Sequence, residues 1–390
     1  MVLRVDPFPL LFDKTASIAM ENVGVMFGVK YLEFTLSQLL FASREFLCTD
    51  PRDHVYALLG LAADVETGYK GLAVDYASPT RKVLHQFCVC NVKEKGSLDF
   101  LGSGLQGHHE DTSGPSWVPN VLSPSQFGVD PAFFTFTATG NSALQACFSQ
   151  DERTLTIMGK TIDEVKALSQ PLITLDDSNL QPDLKGGMIV QEEEQNQFKE
   201  ARKSNDEPAI TNKVEHDYKE WYKEWFRHCK QIACTPYSVP TSAARLEQFH
   251  RTLLWGSSLY NSSEAEAISL ETCSLVAEYL SKFNDVSAWC NPDESWLARV
   301  AFLTREIEVP FCQVFRSRRF CSTINDRLGS TPHNAEAGDI VCVFYGGNLP
   351  YVIRRCGEGQ YKFIGDCYLH GFMRGAAMEL DSETQEFVLV

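Results

Sequence analysis

The chain has 390 residues, 44% of them hydrophobic and 22% charged, and a formal net charge of −16. That length leaves room for two or three domains of roughly 100–200 residues and an ample core. The negative balance speaks against nucleic acid and anionic membranes, which are bound through Lys and Arg, and no run approaches the roughly 18 apolar residues of a membrane span.

The N-terminus, Met-Val-Leu-Arg-Val-Asp-Pro-Phe-Pro-Leu, is interrupted by an acidic residue and two prolines, unlike a secretory signal. Leu32, Leu36, Leu39, Leu40 and Leu47 recur at helical spacing and predict an amphipathic helix over 31–47. A second helix is expected from Asp50, with Asp50 as N-cap, Pro51 in the first position, Asp53 on the first turn and Gly60 as terminator. Its apolar stripe is Val55, Leu58 and Leu59, joined by Tyr56. Ser78-Pro79 repeats the start signal before Val83, Leu84, Phe87 and Val92.

Residues 102–115 read as a polar loop, and Phe133–Thr137, Thr154–Met158 and Thr161–Val165 as strands. A polar stretch over 191–212 is the best internal boundary. Beyond it Tyr218, Trp221, Tyr222, Trp225 and Cys229 fall on one helical face, a core stripe in preference to a base-stacking platform, because no basic residues interleave with them. Helices near 242–256, 264–282 and 293–307 follow. From Phe311 the pattern becomes short β-like runs: Arg319–Thr323, Ile340–Tyr345, Tyr351–Arg355, Tyr361–Gly365 and Phe387–Val390, with turns at Gly346-Gly347 and Gly357-Glu358-Gly359.

The expected fold class is therefore α+β: a helical body with short strands and a C-terminal small antiparallel β-sheet or barrel-like module. The expected divisions are an N-terminal segment (1–47), an α+β region (48–190), a polar linker (191–212), a helical region (213–310) and a β-rich module (311–390).

Motifs for chemistry are sparse. Gly102-Ser103-Gly104-Leu105-Gln106-Gly107 has the dinucleotide spacing, but His108-His109-Glu110-Asp111 after it does not open the helix that pattern needs. The same histidines and Cys88-x-Cys90 lack metal-site spacing, so neither metal nor cofactor is expected. Thirteen scattered cysteines suit reduced thiols and a cytoplasmic location. Serine-hydrolase, P-loop and zincin signatures are missing.

One constellation remains. Asp366, Cys367, Tyr368 and His370 could supply a base and a nucleophile, with Arg319, Arg354 and Arg374 as anion-binding candidates. On a strand, however, Cys367 would point away from the other three, which spoils a simple dyad. Asp50, Arg52 and Asp53 could likewise form an active-site cluster or a helix start with a bridging guanidinium, and the local cap chemistry favours the second.

The wording of several segments resembles fungal heterokaryon incompatibility (HET) proteins. Thr49 to Leu61 is similar to the family's Asp-Pro-Arg-Asp start and Val-Tyr-Ala-Leu-Leu-Gly-Leu run. Asp75-Tyr76, Ser116-Trp117-Val118-Pro119, Gly159 with Ile162-Asp163, and Phe249-His250-Arg251-Thr252-Leu253 follow in family order. So do Gly338-Asp339-x-Val341, Gly346-Gly347-x-x-Pro350, Ile353-Arg354 and Gly365-x-x-Tyr368-x-His370-Gly371-x-Met373. The resemblance implies a structural role for Asp50, Pro51, Arg52, Asp53, Gly338, Asp339 and Gly371. Two departures stand out: Met373-Arg374-Gly375-Ala376-Ala377 lacks the family's glutamate, and Leu328-Gly329-Ser330-Thr331-Pro332 replaces a Gly-x-Gly-Pro-like turn.

The front motifs of such proteins, Ala-Leu-Ser-Tyr-x-Trp-Gly and Ile-Asp-x-x-Cys-Ile-Asn-Gln, are missing, so the expectation is a HET-like chain without its TIR-like effector domain. The resemblance then implies a non-enzymatic interaction or regulatory role in fungal self/non-self recognition, with a protein partner and neither nucleic acid nor membrane. The alternatives are a tailoring or hydrolytic enzyme of fungal small-molecule metabolism, which would need a small-molecule substrate, and an inactive gene fragment.

Overall fold

The computed structural model describes residues 34–43, 46, 48–65, 69–102, 114–119, 136–172, 221–234, 242–255, 270–284, 294–303, 306, 307, 311, 314, 315 and 318–390. The expected helix over 31–47 is seen as α1 (Leu36–Ala42), started by a capping box in which Thr35 and Gln38 each accept the other's backbone N–H. Leu36, Leu39 and Leu40 are buried as the stripe requires, while Leu32 and Leu47 lie outside the described residues.

The second helix differs from expectation. α2 (Asp53–Tyr56) is a single turn, Arg52 holds the N-cap position, and no side chain caps it. Asp50 instead accepts the Arg52 backbone N–H at 3.0 Å and its guanidinium at 2.8 and 2.6 Å. The N–H that Asp50 accepts is the one expected of a cap with Pro51 behind it, but regular helix begins only at Asp53.

α3 (Thr80–Cys90) begins after Pro79 as expected, though Ser78 donates to Asp75 at 2.7 Å and caps nothing. It widens into a π turn over Asn91–Lys95 and stops at Gly96, whose φ of 64° suits glycine. Buried Asn91 accepts from Ser37 and Tyr69 and donates to the Phe87 carbonyl, which ties α1 to α3.

The helical middle comprises α4 (221–233), α5 (Ala243–Leu253), α6 (Leu270–Asn284) and α7 (Glu294–Leu303). The predicted aromatic face of α4 is interior: Tyr222, Trp225, Phe226 and Cys229 are buried, and Tyr222, Trp225 and Phe226 meet Phe311 at ring centroid distances of 5.0–5.9 Å. Tyr218 and the 191–212 stretch lie outside the described residues.

The strands are β1 (Ala146–Phe148), β2 (Leu155–Leu168), β3 (Arg318–Thr323), β4 (Leu328–Pro332), β5 (Ile340–Phe344), β6 (Pro350–Gly357), β7 (Gln360–Asp366), β8 (Tyr368–Leu369) and β9 (Thr384–Leu389). β2 is one strand of 14 residues where two were expected. Gly159 lies inside it, because a Cβ there would collide with the Val343 carbonyl oxygen; the glycine marks a close strand approach, not a break. Phe136 and Thr137 are not strand, and 133–135 lie outside the described residues.

Pairing runs β5–β6–β7–β9–β2 and returns from β2 to β5, all antiparallel except β7 with β9. The far end of β2 leaves this ring to pair with β3, which continues through β4 to β8. The result is an antiparallel-dominated α+β sheet, not a clean barrel. Register shifts between Thr161 and Asp163 and between Val165 and Ala167 let β2 serve both parts.

Leu328–Pro332, where the resemblance implies a Gly-x-Gly-Pro-like turn, is strand β4, with all but Pro332 buried. The turn lies just before it at Asp326, where φ is 62°. β5 is buried on both faces: Ile340, Cys342 and Phe344 join the main core, Val341 and Val343 a smaller one with Ile162, Val352, Ile364 and Cys367. Ser116 stitches the first half to the sheet, donating to Val390 O and accepting from Phe363 N at 2.8 Å, while Trp117 beside it is fully buried. Among the described residues no helix is long and apolar enough to cross a membrane.

Candidate functional site

The Asp366–His370 segment turns the corner from β7 through β8. Its four candidate groups do not converge. Asp366 is buried against Arg318, whose Nη1 donates to Oδ2 at 3.1 Å and whose Nη2 donates to the Asp366 carbonyl at 2.7 Å. Burial raises the Asp366 carboxyl above its ordinary range even though Arg318 opposes that shift. Cys367 belongs to the smaller core cluster, and burial, with Cys321 beside it, pushes its thiol far above ordinary values. A thiol so held is a poor nucleophile.

Tyr368 faces the main core instead, stacked on Trp255 with ring centroids 5.8 Å apart. Its hydroxyl meets His370 Nδ1 at 3.3 Å, and burial and then Arg251 lower the His370 pKa. Alternation along the chain thus separates the thiol from the imidazole, as strand geometry anticipates.

Two of the three candidate arginines are already engaged, and the third stands apart. Arg319 donates to the Ser169 and Ala335 carbonyls at 2.6 and 2.8 Å. Arg354 grips buried Asp339 with Nε at 2.7 Å and Nη2 at 2.9 Å, and also reaches Glu336 and the Asn334 carbonyl. Two segments of the C-terminal signature, Gly338-Asp339 and Ile353-Arg354, therefore bind each other through a bidentate fork. Gly338 and Gly371 adopt φ of 93° and 85°, the left-handed region that favours glycine. Arg374 is exposed.

The Asp50-Pro51-Arg52-Asp53 motif has a partner of the same kind. Arg52 Nη1 donates to the Tyr76 and Ser78 carbonyls, and the Tyr76 hydroxyl donates to Asp53 at 2.5 Å. Tyr56 donates to the Asp75 carbonyl, and the Asp75 N–H donates back to the Tyr56 hydroxyl. The hydrogen bond from the Arg52 side chain holds the Asp50 carboxyl down to about 2.

The residues that organise the centre were not among the candidates. Arg318 adds a bond to Ser330 Oγ at 3.1 Å and lies 4.7 Å from the Trp255 ring, so one guanidinium joins β3, β4, β7 and the end of α5. Asp163 accepts from Thr323 at 2.8 Å, Asn325 at 3.1 Å and Arg327 at 2.6 Å, which fixes the β3–β4 turn on β2. Strand alternation could have found Arg318, since one of two neighbouring arginines in a buried strand must face inward. Trp255 lies two residues beyond the Phe249–Leu253 segment and had no local signal.

Among the described residues no three His, Cys, Asp or Glu side chains gather in a way that could hold a metal ion. His108, His109, Glu110, Asp111 and the glycine-rich pattern before them lie outside the described residues except Gly102.

Residues 309–390 match the Het-6 beta-barrel domain family. A stretch is 37% identical over 71 residues to the heterokaryon incompatibility protein 6, OR allele, of Neurospora crassa; it covers 17% of this chain and 10% of that protein. No solved structure matches. The chain is thus HET-like, with a C-terminal sheet similar to the Het-6 beta-barrel domain and a segment similar to a fungal heterokaryon incompatibility protein.

Proposed function

We propose that this chain is a non-enzymatic interaction or regulatory protein of fungal self/non-self recognition, acting in the cytoplasm on a protein partner. The observation that carries the reading is the fate of its chemistry-bearing side chains. Cys367 is shut in the small core, Asp366 is paired with Arg318, and Arg354 is closed on Asp339. Groups so committed hold a shape and leave little for turnover.

Expression of the chain in a Neurospora crassa strain carrying the OR allele tests the reading, scored by heterokaryon formation and viability. The reading expects the wild-type chain and Cys367→Ala, at matched abundance, to shift the incompatibility response equally. Catalytic turnover of nicotinamide adenine dinucleotide by the purified chain, or loss of the response in Cys367→Ala alone, would overturn it.

A further inference from the structure

We propose that α5, with the Trp255 ring at its end, is an acid-released bolt between the helices and the sheet, and that His250 and His370 are its proton sensors. α5 packs on β4 and against α6. Trp255 takes a φ of 53°, a conformation held in a non-glycine residue only by its surroundings. Its ring fits between the Arg318 guanidinium and the Tyr368 ring, both buried. The Tyr368 ring on which the bolt rests carries, in turn, the hydroxyl that meets His370 Nδ1.

The charges around these imidazoles make a proton unwelcome. Arg245, Glu247 and Arg251 of α5 face His370, with Tyr368 of β8. Glu247 is paired with Arg251 at 2.7 Å, so its carboxylate is already answered. Arg245 is clamped to Asp326 of the β3–β4 turn at 2.7 Å and to the Ala233 carbonyl of α4. Lys230 of α4 faces His250, whose ring lies against Phe249. Protonating both rings adds two cations to a seam that already sets Arg245, Arg251 and Lys230 against only Glu247 and Asp326.

Burial, then the neighbouring cations, lowers both imidazoles, His250 down to about 4. A histidine depressed on folding stabilises the closed form fully above its ordinary pKa, and that stabilisation is lost as pH falls toward the folded value. Between about pH 6.5 and pH 4 the open form therefore binds more protons than the closed one.

Hydrogen exchange of the full chain, corrected for the intrinsic pH effect, reads the bolt directly. From pH 7.5 to pH 5, amides of 243–255 should lose about tenfold in protection while Ile340–Phe344 stays protected. The double variant His250→Gln/His370→Gln should lose most of that pH response. Equal remaining protection in both segments at pH 5, unchanged 243–255, or a full response in the double variant would overturn the proposal. Should the double variant not fold, proton NMR of the wild-type imidazoles decides: both titrating below about pH 6 supports it, and either titrating at 6.5 or above refutes it.

Discussion

Replacing Arg318 with methionine leaves the Asp366 carboxylate in the core with its cation removed. Both side chains are about 5% exposed, so solvent cannot compensate. Breaking a buried pair in this way costs about 3–5 kcal/mol, a large part of the roughly 5–15 kcal/mol that holds a typical domain. The lost contact with Trp255 adds to that cost. The pH dependence has a definite sign. Burial already holds the Asp366 carboxyl above its ordinary value, and removing Arg318 raises it further. A group held above its unfolded pKa favours the fold below that pKa and loses this contribution as pH rises through the folded value, so the variant should suffer more at pH 7 than at pH 4.5. The double change Arg318→Met/Asp366→Leu should recover at least about 2 kcal/mol, because an apolar pair of similar bulk needs no partner. Urea denaturation followed by circular dichroism at both pH values measures all three. A loss under about 1 kcal/mol for Arg318→Met, with no recovery in the double variant, would refute the reasoning.

Other consequences are simpler to read. Gly329→Ala places a Cβ 2.5 Å from the Tyr368 carbonyl oxygen, between β4 and β8, and should cost about 2–3 kcal/mol, while Gly60→Ala, with nothing within 4 Å, should be near neutral; thermal melts separate them. Cys367→Ala should cost about 1–2 kcal/mol as a small cavity, and Cys367→Ser more, because its hydroxyl would be buried in an apolar cluster. Stability should fall from pH 6.5 toward pH 4 by about 2 kcal/mol on account of His250, whose partial exposure to solvent softens the effect, and His250→Gln should flatten that slope in denaturant titrations. Arg52→Lys cannot reproduce the fork that joins Asp50 to the Tyr76 and Ser78 carbonyls, so amide exchange should quicken in 50–56 and 75–78 and nowhere in the sheet.

The parts legible in the sequence were those with a local cause. The aromatic face of α4 follows from residues three and four apart, and β3, β5, β6, β7 and β9 follow from short runs of branched and aromatic residues. Strand alternation also anticipated that Cys367 and His370 would part. What stayed hidden depended on distant partners. The resemblance places a turn at β4, and nothing local reports that Gly329 is there to let Tyr368 approach. β2 looked like two strands because nothing local reports that Gly159 lies against Val343. Asp50 accepts the backbone N–H expected of it, but the Arg52 fork that also holds it reaches carbonyls more than twenty residues away, which no local signal reports. The pairing of Arg318 with Asp366 spans 48 residues, beyond what any window of spacing can show.

The central claim, that the Asp366–His370 segment holds shape and does no chemistry, is tested most directly by alkylating the native chain and following each thiol by mass spectrometry. Exposed Cys48, Cys147 and Cys356 should react within minutes at pH 7.5, while Cys321, Cys342 and Cys367 react only once urea unfolds the protein. Rapid native labelling of Cys367, rising with a midpoint below the ordinary thiol pKa of about 8.5, would contradict the account.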